Sequence, residues 1–186
     1  MSTRSIIRGV ATGTMAVAIA AGGAMVSSPQ AAATAPQEQR ASEQGRSAQQ
    51  LQSVRIRTFA NKCLDVARRS HADRAPIIQY RCHNAPNQKF RFERAGRGQY
   101  RIKTFANKCL DVERASHADR ARIIQYRCTN GANQKFRVER AGRGQYRIKT
   151  FANKCLDVER ASHADRARII QYRCTNAANQ KFRFQR

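Results

Sequence analysis

From Arg55 onward the chain writes one unit three times with a period of 46 residues, and this self-similarity limits its folding more than any single motif. The segment F-A-N-K-C-L-D-V begins at Phe59, Phe105 and Phe151, I-I-Q-Y-R-C at Ile77, Ile123 and Ile169, and N-Q-K-F at Asn87, Asn133 and Asn179. The first two copies differ at eight of 46 positions, and the second and third at three of 40. Units this alike fold alike, so the architecture is expected to have pseudo-threefold symmetry. The repeats run about 55–100, 101–146 and 147–186.

Within a copy the pattern is that of short strands. Tyr100-Arg101-Ile102-Lys103-Thr104 alternates apolar and charged residues, as does Phe90-Arg91-Phe92-Glu93, while Ile77 to Cys82 is β-branched and aromatic. Ala95-Gly96-Arg97-Gly98 lies between two such runs and predicts a hairpin turn; a phosphate-binding loop would need a helix after its glycines. Three copies are too few for an ordinary propeller, which takes four or more blades, and suit a closed barrel. The last copy stops at Arg186 without the A-G-R-G-Q-Y hairpin. That omission predicts that the final strand, Lys181 to Gln185, pairs with the opening strand, Val54 to Thr58, and removes the exposed sheet edge.

Ahead of the repeats, Arg4 and Arg8 precede an Ala-rich apolar stretch from Val10 to about Val26 and a cluster of small residues at Ala31 to Ala35. This order predicts a secretory signal peptide over residues 1–33, cleaved after Ala33, and a secreted, extracellular product. The stretch is shorter than the ~20 apolar residues of a membrane span. Residues 34–53 are rich in Gln, Ser, Ala, Arg and Glu and read as a polar flexible tether, leaving one folded domain over 54–186. The 36 Lys and Arg against 12 Asp and Glu give a net charge of +24, which points to an anionic partner or surface. Hydrophobic residues still make up 41%, enough for a packed core. Six cysteines in an exported chain invite disulfides, with fifteen possible connectivities; the repeat makes pairing within each copy the simplest. A zinc site is disfavoured, since no C-x-x-C spacing occurs.

N-K-C-L-D-V, I-I-Q-Y-R-C and N-Q-K-F, in this order and three times over, resemble the ricin B-type lectin domain. The resemblance covers roughly Val54 to Arg186 and implies an all-β β-trefoil with one disulfide per repeat: Cys63–Cys82, Cys109–Cys128 and Cys155–Cys174. A loop of that size contributes about 3 kcal/mol in the chain-entropy model. Two departures stand out. Phe90, Phe136 and Phe182 occupy the place of the family's usual Trp, and an Arg follows Asp73, Asp119 and Asp165 where a small residue such as Gly is common.

The resemblance also implies a carbohydrate site in each copy. Asp65, Asp111 and Asp157 would accept charge-assisted hydrogen bonds from neighbouring sugar hydroxyls. Tyr80, Tyr126 and Tyr172 would stack on the sugar, with Asn87, Asn133 and Asn179 reading a hydroxyl and Gln88, Gln134 and Gln180 orienting the Asp. His83 could touch a ligand in the first copy alone, because Thr129 and Thr175 replace it. Ser70-His71-Ala72-Asp73 holds the residue types of a catalytic triad, but residues so close in sequence cannot take triad geometry, and His71, His117 and His163 read as exposed loop residues.

The expectation is therefore a secreted, monomeric, lectin-like protein without enzymatic activity, cofactor or metal, binding poly- or oligosaccharide through up to three equivalent pockets. The basic character favours acidic or cell-wall polysaccharide and makes nucleic acid only a non-specific polyanion partner. The rival reading is a cationic adhesion or polyanion-binding protein whose arginine-rich surface does the binding on a trefoil scaffold.

Overall fold

The computed structural model describes residues 53–186; the expected signal peptide and nearly all of the expected tether lie outside the described residues. Twelve short strands follow in order: β1 (Arg55–Arg57), β2 (Cys63–Val66), β3 (Ile77–Tyr80), β4 (Arg91–Arg94), β5 (Gln99–Lys103), β6 (Cys109–Val112), β7 (Ile123–Tyr126), β8 (Phe136–Gly142), β9 (Gln145–Lys149), β10 (Cys155–Val158), β11 (Ile169–Tyr172) and β12 (Arg183–Gln185). Six of them close a barrel. β4 pairs with β5, β5 with β8, β8 with β9 and β12 with β1, all antiparallel. The Val54–Phe90 and Tyr146–Phe182 bridges close the two remaining gaps and repeat the Tyr100–Phe136 pair of β5 and β8. The other six strands form three hairpins, β2–β3, β6–β7 and β10–β11. These meet one another through the bridges Pro76–Ile124, Arg122–Ile170 and Ile78–Arg168. Barrel plus hairpin triplet is the β-trefoil.

The closing strand is shorter than the sequence pattern implies. β12 meets β1 in the register Arg55–Gln185, Ile56–Phe184 and Arg57–Arg183. Phe182 instead exchanges two backbone hydrogen bonds with Tyr146, so the chain leaves β9 before it reaches β1. The A-G-R-G hairpin forms because three successive residues take left-handed backbone, Gly96 at φ 81°, Arg97 at 48° and Gly98 at 69°. Glycine makes that conformation inexpensive at the two flanking positions.

The core is built of threefold sets. Ile56, Ile102 and Ile148, the three Leu of C-L-D-V, and Phe90, Phe136 and Phe182 are all fully buried. Phe thus fills the Trp position without leaving the core. All three disulfides form within their own copies.

What joins the copies is polar. The side-chain amide of Gln79, fully buried on β3, donates to the carbonyls of Ser162 and Ala164 at 2.7 and 2.8 Å, in a loop of the third copy. Gln125 does the same to Ser70 and Ala72, and Gln171 to Ser116 and Ala118. Backbone bonds extend each contact, Arg166 N–H donating to the Gln79 carbonyl and Gln79 N–H to Ala167. A carboxylate fastens the same loop. Asp73 accepts from Lys108 at 2.6 Å and from the Arg127 amide, with Asp119–Lys154 and Asp165–Lys62 as its counterparts. The histidines of these loops are exposed, as expected, yet each ring packs edge-on against a Phe of the neighbouring copy at 4.6–4.7 Å.

The lysine contact holds Asp73, Asp119 and Asp165 below the usual carboxylate range of 3.8. A carboxyl whose native value is lowered stabilises the fold above its unfolded value and loses that contribution as the pH falls through the native one. Thermal stability is therefore expected to fall on acidification below about pH 4. The combined Asp73→Asn, Asp119→Asn and Asp165→Asn variant should show a shallower acid loss in the same scan; parallel pH profiles would contradict the latch.

Candidate functional site

Alternation along C-L-D-V decides what the site contains. Leu64 and Val66 point into the core, so Cys63 and Asp65 face the other side of β2. There the disulfide to Cys82 and the 3₁₀ turn Pro86–Gln88 cover them. Asp65 is 3% exposed, and its Oδ2 accepts a 2.8 Å hydrogen bond from Gln88 Nε2. Gln88 is itself fully buried: Nε2 also reaches the Arg81 carbonyl at 3.0 Å, and Oε1 accepts from the His83 amide at 2.8 Å. Its capacity is spent on bracing the carboxylate and the chain beyond Cys82, so it acts on a ligand only through Asp65. The same brace links Gln134 to Asp111 and Gln180 to Asp157, each at 2.8 Å. Burial pushes all three aspartates above 3.8, partly offset by the glutamine hydrogen bond.

Asp65, Tyr80 and Asn87 line one cavity of about 1000 Å³, and Asp111, Tyr126 and Asn133 line another of about 290 Å³. Asn87 is 3% exposed and donates to the Val66 carbonyl at 3.2 Å, which leaves its buried Oδ1 without a protein partner. In the third copy Asn179 bonds Asp157 at 2.8 Å. Each tyrosine ring carries a guanidinium 5.3–5.4 Å from its centre, from Arg81, Arg127 and Arg173. His83 lies in the first cavity, its Nε2 3.5 Å from Asp65 Oδ2. Ser70-His71-Ala72-Asp73 forms no triad: Ser70 Oγ accepts from the Ala72 amide, and Asp73 is engaged by Lys108.

The rim holds residues that the motif did not indicate. Arg166, from the third copy, lines the cavity of Asp65, and Arg74, from the first, lines that of Asp111. These are the arginines that follow the latch aspartates. Their φ of 67–68° explains why glycine suits the position, and the bond from each Arg N–H to the neighbour's glutamine carbonyl holds them there. The sequence signal was the departure from a small residue. The resemblance placed that loop at the border of the sugar pocket, while the sequence did not show that the pocket belongs to the next copy.

The residues matching the description "Ricin-type beta-trefoil lectin domain" run from 52 to 182. The chain belongs to the ricin-type β-trefoil lectin family. Among solved structures, this lectin-family chain is similar to the designed 3-fold symmetric protein ThreeFoil, at 36% identity and a TM-score of 0.71 over 72% of this chain and 98% of that one. It is also similar to 1,3Gal43A, an exo-beta-1,3-galactanase from Clostridium thermocellum, at 26% identity and a TM-score of 0.70. That match takes 72% of this chain and only 30% of the galactanase. The Macrolepiota procera ricin B-like lectin, solved in complex with lactose, shares the fold at 18% identity and a TM-score of 0.63 over 73% of this chain and 95% of its own. No curated protein matches the sequence.

Removing the brace exposes its worth. Gln88→Leu leaves a buried carboxylate without its donor, at a cost of about 1–3 kcal/mol, and should raise the Asp65 pKa further. Urea unfolding and a carboxyl-carbon NMR titration would check both. An unchanged Asp65 titration would show that the hydrogen bond is not made.

Proposed function

We propose that this protein is an exported, non-enzymatic carbohydrate-binding module that takes poly- or oligosaccharide in the pockets around Asp65, Asp111 and Asp157. The observation that carries the reading is the glutamine-braced aspartate at the floor of a cavity. A carboxylate with one oxygen fixed by Gln88 presents its remaining acceptor positions in a set direction, which suits two adjacent sugar hydroxyls. A tyrosine at the wall offers an apolar ring to the C–H face of a pyranose. Membership in a lectin family and the lactose complex of the M. procera relative support the same assignment. Export rests on the leader-like order of residues 1–33 and agrees with six cysteines that all form disulfides. Sites on one rigid body, working as a monomer, would gain avidity for a repeating polymer.

The surplus of arginine supports a second reading, in which the basic surface holds polyanions and the pockets are idle. The two differ in salt and competition. Pocket binding survives about 0.5 M NaCl, where the screening length is roughly 4 Å, and free sugar competes it. It falls at least tenfold, about 1.4 kcal/mol, in the combined Asp65→Ala, Asp111→Ala and Asp157→Ala variant. Binding also weakens on acidification at a higher pH than an ordinary carboxylate would set, because burial raises these groups and only the ionised form accepts two hydroxyl donors. A glycan array read at low and high salt tests this; retention lost in salt on every glycan, with no competition by free sugar, would overturn it.

A further inference from the structure

The first copy departs from the second at eight positions, and four of these, Ala67, Arg69, Pro76 and His83, line its cavity. They do not vary independently. In the second copy Glu113 stands for Ala67 and Arg122 for Pro76, and the two form a two-pronged ion pair at 2.7 and 2.9 Å. The third copy keeps both residues, Glu159 and Arg168, 3.9 Å apart. The first copy has lost both partners together, so neither is left as an unpaired charge.

Two effects follow at the rim. Glu113 lines the second cavity, which measures about 290 Å³, whereas the first, with Ala67 and Pro76 in that place, measures about 1000 Å³. The electrostatics change as well. At the second cavity Arg74, Arg114 and the Arg127 over Tyr126 face Asp111, while Glu113 is spent on Arg122. In the first, four arginines, Arg68, Arg69, Arg81 and Arg166, face Asp65 alone, with His83 beside it. Arg69 is particular to this copy, since Ala115 and Ala161 replace it, and Arg166 is delivered from the third copy by the glutamine latch. Asn87 lines the same cavity, and its Oδ1 is buried and unpartnered.

We propose that the first pocket is a dedicated site for a carboxylate-bearing sugar, such as a uronic acid residue within a glycan chain. The sugar's hydroxyls meet Asp65 and Asn87, and its carboxylate meets the arginines at the rim, Arg69 and Arg166. Arginine suits that role because its planar fork matches a carboxylate with two parallel hydrogen bonds. The narrower second pocket, with no counterpart to Arg69 and with Glu113 at its rim, has a weaker preference. This inference rests on the sugar-binding reading and adds both the ligand's chemistry and the inequality of the sites.

The test is calorimetric titration of the chain over residues 34–186 at 0.15 and 0.5 M NaCl. The probes are galacturonate and glucuronate trisaccharides, each beside its carboxyl-reduced neutral form. Wild type is expected to prefer the acidic form by about tenfold, and a preference of at least several-fold should persist at the higher salt. In a variant given the second copy's residues (Ala67→Glu, Arg69→Ala, Pro76→Arg and His83→Thr) the preference should collapse to under about threefold. The reciprocal set in the second copy (Glu113→Ala, Ala115→Arg, Arg122→Pro and Thr129→His) should add a second acid-preferring site. These residues already occur at equivalent positions, so both variants retain residues the fold accommodates. An acid preference that survives the first exchange, or is absent from wild type while the neutral forms bind, overturns the inference and leaves the sugar reading standing. If no trisaccharide of either kind binds saturably, the sugar reading falls and takes the inference with it.

Discussion

Each repeat depends on a buried glutamine that reaches out of its own copy. Gln79, Gln125 and Gln171 are fully buried, and each uses side chain and backbone to hold a loop of a neighbouring copy. Each side-chain bond adds about 1 kcal/mol net when made and would cost more if its buried groups were left unpaired. The contact is cyclic, so no copy can complete it alone. The aspartate–lysine latch and the edge-on histidine sit on the same loops, two of which bring Arg166 and Arg74 to the pockets of Asp65 and Asp111. These two pockets are thus assembled across copy boundaries, and the hairpins must meet before either is whole.

Threefold symmetry is strict where the fold needs it and relaxed where a ligand would enter. Core sets and the Asp–Gln brace recur almost unchanged, because a ring of identical units offers each the same environment. Four of the eight differences of the first copy, Ala67, Arg69, Pro76 and His83, lie at its cavity. The net charge of +24 takes on a local meaning in this light. Much of it is a solvated outer surface. At the first pocket, the joint loss of a glutamate and its paired arginine, with the gain of Arg69, adds one net positive charge to a concave feature.

The period of 46, the barrel closure and the disulfide pairing were legible in the sequence because each follows from repetition or from residues close along the chain. The braced aspartate was legible through resemblance, since Asp65 and Gln88 belong to motifs that travel together. Arg166 at the pocket of Asp65 was not, because it depends on a loop more than 80 residues away docking on Gln79. The Glu113–Arg122 pair lay within reach. The two positions are nine apart and change together between copies, which is the trace of a contact. Comparing the copies for what differs, as well as for what recurs, would have exposed it.

Amide NMR mapping on the folded domain, titrated with an acidic trisaccharide in about 0.5 M NaCl, is the most direct test of recognition by braced, arginine-rimmed pockets. The account predicts saturable shifts localised to the braced pockets and strongest around Asp65, Tyr80, Asn87 and Arg166, including the Asn87 side-chain amide. Shifts spread over the arginines of the outer strands, vanishing as salt is raised and sparing the Asn87 amide, would contradict it.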